Sequence, residues 1–364
     1  MSLETLFNKA WYGGSKWTYL LSPLSPLVSF IVKRKRATYL ASADTKNHFD
    51  VPVLVVGNLT VGGTGKSPMV LALIKVLRQA GYKPGIVSRG YGVNAKVPVL
   101  VDSHSIAAEC GDEPVMLARR AQCPLVICQN RVSAVQHLLE LGDVDIVISD
   151  DGMQHYAMAR DIEVLMLDSR RGLGNGCLLP VGPLREPVTR LQDVDYVVGL
   201  ISANASFHHD EQALGLKKLL SKYPESVELE SDKIYAMPLM AGELINLKTG
   251  EASSISMLKS QRDWQVVAGI GNPERFLNTL IQQGISPDYQ THWFADHHQF
   301  TVDDIKHDKP VVMTEKDAVK CKDLSITNHN VWYLPVEVTL EEGFVHSLIE
   351  KIQQIKAAKL SIGK

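Results

Sequence analysis

The sequence predicts an α/β protein, and three observations predict it. Short β-branched apolar runs recur, among them Val51–Val56, Pro84–Ser88 and Ile162–Leu167. Between them lie stretches of helical periodicity such as Pro68–Ala80 and Arg131–Leu141. A glycine-rich turn joins the first run to the first helical stretch. Strands alternating with helices imply a mostly parallel sheet covered on both faces.

The bulk numbers fit that class. The 364 residues are 45% hydrophobic and 21% charged, enough for two ordinary globular domains. A net charge of -2 gives no reason to expect a nucleic-acid partner. Cys110, Cys123, Cys128, Cys177 and Cys321 form no CxxC pair and read as reduced thiols rather than disulfides or zinc ligands.

The first forty residues differ from the rest. Six basic residues stand there against Glu4. The apolar run Trp17–Val32 is broken by Pro23 and Pro26 and is shorter than the about 20 residues of a spanning helix. Its basic cluster Lys33–Arg36 follows the run, unlike a signal peptide. Two readings stay open. One is an interfacial element, with Trp11, Tyr12, Trp17 and Tyr19 at headgroup level and the cluster on anionic lipid. The other is a core-packed helix with a solvated basic end.

From Val51 the elements follow in order. After the strands at 51–56 and 84–88 come strands at Val97–Val101, Pro124–Cys128, Val144–Ser149, Ile162–Leu167 and Tyr196–Ile201. A helix is expected over Glu113–Gln122. Residues 203–232 are polar and poorly patterned, a boundary. Beyond it, strands are expected at Gln265–Ile270, Pro310–Thr314 and Val331–Pro335, with helices at Pro273–Gln283 and Glu341–Ala358.

The strongest chemical signal is Gly57-Asn58-Leu59-Thr60-Val61-Gly62-Gly63-Thr64-Gly65-Lys66-Ser67. It follows a strand and opens a helix, the context of a P-loop. Backbone N–H groups of such a loop cradle phosphates; Lys66 would reach the β- and γ-phosphates and Ser67 would ligate Mg²⁺. The spacing departs from the standard one, because Thr60 stands where a glycine is usual. Asp150 and Asp151 end a strand, the arrangement that presents a carboxylate to the metal of a nucleotide site. Gly111-Asp112-Glu113-Pro114 opens a helix; its acids read as caps or as a base for a hydroxyl acceptor. Asp296-His297-His298 has no third histidine or cysteine at ligand spacing. Thr314-Glu315-Lys316-Asp317 superficially resembles a guanine-reading motif, but its lysine is third rather than second, so GTP specificity is not inferred.

Together these stretches resemble the tetraacyldisaccharide 4'-kinase family, the lipid A 4'-kinases of Gram-negative bacteria. The resemblance runs from Trp11-Tyr12 through the glycine-rich loop, Ser88-Arg89-Gly90-Tyr91-Gly92, Gly111-Asp112-Glu113-Pro114 and Asp150-Asp151-Gly152-Met153-Gln154-His155. It continues through Gly182-Pro183-Leu184-Arg185-Glu186-Pro187 and Ala268-Gly269-Ile270-Gly271-Asn272-Pro273 to Asp296-His297 and Thr314–Ala318. Thr60 belongs to that family's own pattern.

The resemblance implies transfer of the ATP γ-phosphoryl group to the 4'-hydroxyl of tetraacyldisaccharide 1-phosphate, forming lipid IVA. It implies a P-loop NTPase-like three-layer α/β/α domain, a second smaller α/β domain and an N-terminal membrane-associated helix. The corresponding division is 1–40, 41–228 and 229–364. By the same resemblance Asp112, His297 and Lys66 are catalytic, and Gly62, Gly63, Thr64, Gly65, Lys66 and Ser67 hold ATP. Ser67, Glu113, Asp150 and Asp151 surround Mg²⁺, and Arg89, Gln154, His155, Arg185 and Glu186 fall around the substrate cleft. The implied partners are the lipid and the membrane surface, at the cytoplasmic face of the inner membrane; protein partners are left open. The rival classes are a soluble P-loop kinase or ligase acting on a small metabolite, and a nucleotide-switch GTPase.

Overall fold

The structure, a computed structural model, describes residues 3–41, 48–202, 209–223, 230–305 and 308–362. The N-terminal element is α1 (Leu3–Tyr12), a 3₁₀ turn (Trp17–Leu24) and α2 (Ser25–Ala41). Proline lacks the N–H a helix interior needs and is tolerated in a first turn, so the apolar run divides and α2 begins with Pro26 near its start. No helix among the described residues is long and apolar enough to cross a membrane.

The first sheet begins with β1 (Val53–Gly57), which leads into α3 (Lys66–Gln79). There follow β2 (Pro84–Ser88), β3 (Val99–Val101), α4 (Ala107–Cys110), α5 (Asp112–Ala121), β4 (Leu125–Ile127), α6 (Arg131–Glu140), β5 (Ile146–Asp150), β6 (Ile162–Asp168), β7 (Tyr196–Ser202), α7 (His209–Leu220) and β8 (Ile234–Ala241). The rest of the chain supplies β9 (Leu244–Asn246), β10 (Ala252–Ser253), α8 (Met257–Ser260), β11 (Trp264–Ala268), α9 (Pro273–Gln282), β12 (Tyr289–Trp293), β13 (Val311–Thr314), α10 (Glu315–Cys321), β14 (Val331–Leu334), β15 (Val336–Val338) and α11 (Glu342–Ile362).

The larger sheet has nine strands in the order β15-β8-β7-β6-β1-β5-β2-β4-β3, parallel except at its two edges. Side chains alternate across it. Leu54 and Val56 of β1 face the layer of α3, α5 and α11, while Val53 and Val55 face α6 and α7. Burial on both faces is why these strands read as continuous apolar runs. The smaller sheet has the order β10-β9-β14-β13-β11-β12 and its own two-sided core, around Trp264 on one face and Val267 on the other.

The chain enters the smaller sheet at β9 and leaves it after β14. β15 and α11 return to the larger sheet, where Phe344, Leu348 and Ile352 join the core. The sequence boundary at 228/229 falls outside the described residues, in the chain between α7 and β8, and β8 belongs to the larger sheet.

Candidate active site

Strands β1 and β5 are neighbours, with Val56 paired to Asp150. The turn after β1 and the acidic pair at the end of β5 therefore emerge side by side at the carboxyl ends of the strands, where open α/β sheets bind ligands. Gly65 enters α3 at φ +87°, and a β-carbon there would meet Leu200 at 2.7 Å. Only glycine fits that corner. The first N–H groups of α3 then point at the loop's hollow, ready for an anion. Lys66 Nζ lies 3.6 Å from Asp151 Oδ1 and 3.4 Å from Asn58 Oδ1. Buried Asn58 also donates to the Thr60 carbonyl at 2.7 Å, which fixes the loop's start.

The two aspartates are split by their surroundings. Asp151, at φ +49°, accepts two hydrogen bonds of 3.1 Å from Arg185. Burial alone would push its carboxyl up, but Lys66 and Arg185 outweigh burial and hold it below the usual range. Asp150 is fully enclosed. Burial, then the neighbouring Glu113 charge, pushes it up to about 8. Its Oδ1 has no hydrogen-bond partner, and Glu113 itself accepts from the Ser67 hydroxyl. A buried orphan carboxylate oxygen beside a second carboxylate and a hydroxyl fits a small hard cation, which would relieve the repulsion. Among the described residues no three His, Cys, Asp or Glu side chains form a metal cage. Mg²⁺ needs none, since it takes one or two carboxylates together with nucleotide phosphates.

Asp112 stands at the start of α5, 5% exposed. His297, from the loop after β12, reaches it from the smaller unit: Nδ1 is 3.2 and 3.1 Å from the two carboxylate oxygens. A carboxylate only accepts, so Nδ1 carries the proton and Nε2 is left to accept from Lys316 Nζ at 3.5 Å. Lys316 and Lys320, one turn apart on α10, each lie 3.8 Å from Asp112 Oδ2. Burial pushes the Asp112 carboxyl up, but the His297 bond and the two lysine charges hold it below its usual range. The Tyr91 ring packs 4.5 Å from that of His297.

The remaining expected residues scatter around this centre. Arg185 also donates to Gln154 Oε1 at 3.3 Å, and Gln154 Nε2 to the Asn58 carbonyl at 3.3 Å. Arg89 is exposed at the end of β2. His155 is driven down to about 4 by burial and by the charges of Arg131, Arg160, Lys35 and Arg89. Glu186 is turned into a buried network, accepting from the Tyr156 hydroxyl and pairing with Arg190 at 3.3 Å. Trp11 and Tyr12 pack inward, with Trp11 Nε1 donating to the Pro180 carbonyl at 3.1 Å.

A cavity of about 240 Å³ opens between the P-loop and the smaller sheet, lined by Gly63–Ser67, Glu113, Lys316 and apolar Leu200, Ile270 and Phe276. Two ion pairs span its sides: Arg275 with Asp168, and Arg120 with Glu315 at 2.9 Å. The sequence reading quoted Asn58 and Lys316 only as members of motifs, without a role of their own, and passed over Lys320, Arg120 and Arg275. One signal for the two lysines was present: their i, i+4 spacing after a strand places them on one helix face.

A parallel sheet with a glycine-rich turn before a helix and paired acids on the neighbouring strand defines a P-loop nucleotide-binding protein. Comparisons with known proteins narrow the class. The family model described as tetraacyldisaccharide-1-P 4'-kinase matches residues 17–353. A tetraacyldisaccharide 4'-kinase of Shewanella frigidimarina is 39% identical over 360 residues, 98% of each chain. One of Pseudomonas putida is 40% identical over 358 residues, again 98% of each. A crystal structure of LpxK from Aquifex aeolicus, described as an "apo" form in complex with ATP, matches with a TM-score of 0.72 at 26% identity, covering 93% of this chain and 99% of that one. The chain belongs to the tetraacyldisaccharide 4'-kinase family.

Proposed function

We propose that this chain transfers the γ-phosphoryl group of ATP to the 4'-hydroxyl of tetraacyldisaccharide 1-phosphate, giving lipid IVA and ADP. The observation that carries the mechanism is the Asp112–His297 contact beside the phosphate loop. Phosphoryl transfer asks a protein mainly for positioning and charge neutralisation. Lys66 and the N–H groups of the loop hold the phosphates. Asp112 accepts the proton of the sugar hydroxyl as its oxygen bonds to phosphorus and the bond to the ADP oxygen breaks. His297 holds that carboxylate through Nδ1–H. Ser67, Glu113, Asp150 and Asp151 would hold Mg²⁺, which supplies charge neutralisation on the phosphates when bound. Arg185 and Gln154 keep Asp151 and Asn58 in place around Lys66.

The base and its partner come from a helix of the larger unit and a loop of the smaller sheet, which supports a division into a nucleotide-binding unit and a smaller closing unit. Leu20, Leu24, Leu27, Phe30 and Ile31 are exposed on the N-terminal element beside Lys33 and Arg34. Apolar side chains next to exposed cations suit an element lying in the interface of an anionic membrane, in this reading the cytoplasmic face of the inner membrane. The test is incubation with γ-labelled ATP and the lipid disaccharide, then chromatography of the lipid phase. Label in the lipid is the expected result. Label transferred only to a water-soluble acceptor would instead favour a small-metabolite kinase.

A further inference from the structure

Thr60 stands where a phosphate loop of ordinary spacing has glycine, and it is buried. Its surroundings give it a task. Thr60 pairs with Leu184 as an isolated antiparallel bridge, and Val61 N donates to the Pro183 carbonyl at 3.0 Å. The first half of the phosphate loop is thereby pinned to the segment 171–185. The same segment carries α1. Trp11 Nε1 bonds Pro180, and the Trp11 carbonyl lies 3.0 Å from where a β-carbon on Gly174 would stand.

Tyr12 stands where these layers meet. The Arg171 guanidinium lies 5.2 Å over its ring. Arg171 Nη1 is 3.6 Å from the position of a Gly62 β-carbon, on the phosphate loop itself. Burial raises the Tyr12 phenol above its usual pKa, opposed by the Arg171 charge and by a hydrogen bond with the Thr60 side chain. A path of contacts therefore runs from the N-terminal element through Tyr12 and Arg171 to Gly62, with the Thr60 side chain acting on the same phenol.

We propose that Tyr12 is a positioning residue for the phosphate loop: through Thr60 and Arg171 it couples docking of the N-terminal element to ATP binding. A glycine-rich loop loses freedom when it closes on phosphates, and a loop already braced has less to lose. Anything that holds α1 in place, such as a lipid surface on the exposed face of the same element, then tightens ATP. Linkage makes the effect reciprocal, so ATP tightens vesicle binding by the same factor. The proposal rests on the reading of Gly57–Ser67 as the ATP site.

The test uses the full chain with ATP, in the presence and absence of vesicles of phosphatidylglycerol and phosphatidylcholine. Thr60→Val and Tyr12→Phe are each expected to raise the KM for ATP about fivefold, the size of one lost hydrogen bond, with kcat within about twofold. Thr60→Ser keeps the hydroxyl and should restore ATP binding. Vesicles should tighten ATP binding in the wild type and leave it unchanged in Tyr12→Ala, although that variant still sediments with vesicles. Unchanged KM in both folded variants overturns the proposal, as does a Thr60→Ser variant as impaired as Thr60→Val. If Thr60→Val does not fold, Tyr12→Phe, which loses a single oxygen, decides alone. A wild type that binds no ATP would refute the P-loop reading rather than this coupling.

Discussion

Replacing Asp112 and His297 singly and together tests whether they act as one proton-accepting unit. The contact is a charge-assisted hydrogen bond of 3.1–3.2 Å on a carboxylate that is 5% exposed. Such bonds contribute about 1.5–3 kcal/mol. At about 1.4 kcal/mol per factor of ten, His297→Ala should lower kcat about 10- to 100-fold. Loss of the base in Asp112→Ala should cost about 10²–10⁴-fold. Lys316 and Lys320 still flank Asp112 after His297 is removed, each 3.8 Å away. The two lysines keep part of the positive charge at Asp112, but the His297 bond is the largest effect holding that carboxyl low, so the loss reports orientation and charge together. Neither change should much alter the KM for ATP, because a base acts in the transition state.

If the pair is one unit, the double variant turns over about as slowly as Asp112→Ala alone, because His297 has nothing left to orient. Independent roles would multiply, with a further drop of about 10- to 100-fold. His297 has φ +60°, a conformation that asparagine tolerates well. His297→Asn thus keeps the backbone and one hydrogen bond, and should be milder than His297→Ala. The assay is kcat at saturating ATP and lipid, with folding checked by circular dichroism. Full multiplicativity would refute the coupled pair.

Lys66→Ala should cut turnover about 10²–10³-fold while the fold persists, because Asp151 retains Arg185; near wild-type turnover in a folded variant would contradict the P-loop assignment. Arg275→Ala removes the ion-pair partner of the buried Asp168, which keeps its bonds from the Arg170 and Arg171 N–H groups, and should lower stability by about 2 kcal/mol while weakening ATP binding, so an unmoved denaturation midpoint would count against the clasp. His155 is neutral in the folded chain down to about pH 4, against 6.5 for a free imidazole. The unfolded chain therefore binds the extra proton between those values, and stability falls as pH drops through that window. His155→Gln should flatten that fall in melting temperature, and parallel curves would show that the imidazole is not held neutral. Removing residues 1–36 should weaken sedimentation with anionic vesicles most clearly at low salt. Equal sedimentation of both proteins would tell against the membrane element.

Much of the larger sheet was legible because buried parallel strands are short, apolar and bounded by turn residues. Pro84–Ser88 ends where its run of apolar residues ends, and Asp150 closes β5 where the charge begins. β8 was not legible. Its sequence carries Pro238, which ordinarily argues against an inner strand. The structure accommodates it because β15 pairs only with Leu239–Ala241, so Pro238 has no ladder partner to disappoint on that side. β12 was missed for another reason. It is an edge strand, and Tyr289, Gln290, Thr291 and His292 carry no continuous apolar signal. The phosphate loop and the acidic pair were readable from local spacing. The cations around Asp112 were not, because they come from α10, about two hundred residues further along, and only the packing of α10 against α5 brings them near.

That packing also bears on why, in the proposed mechanism, the base and its partner are divided between the two units. Asp112 alone is poorly placed to act: it is buried, and burial favours its protonated form. His297, Lys316 and Lys320 reverse that preference, and all three belong to the smaller unit. The same unit supplies Arg275 to Asp168 and Glu315 to Arg120, ion pairs that hold it against the larger sheet on the sides of the phosphate-loop cavity. Separating the two units would break these pairs and take His297, Lys316 and Lys320 away from Asp112, and with them the contacts that fix its orientation. In the proposed mechanism, joining them holds the Asp112 carboxylate in place beside the phosphate loop. Water is a smaller and more abundant acceptor than a lipid hydroxyl. A base that becomes competent only when both units close would restrain ATP hydrolysis until the cleft is filled.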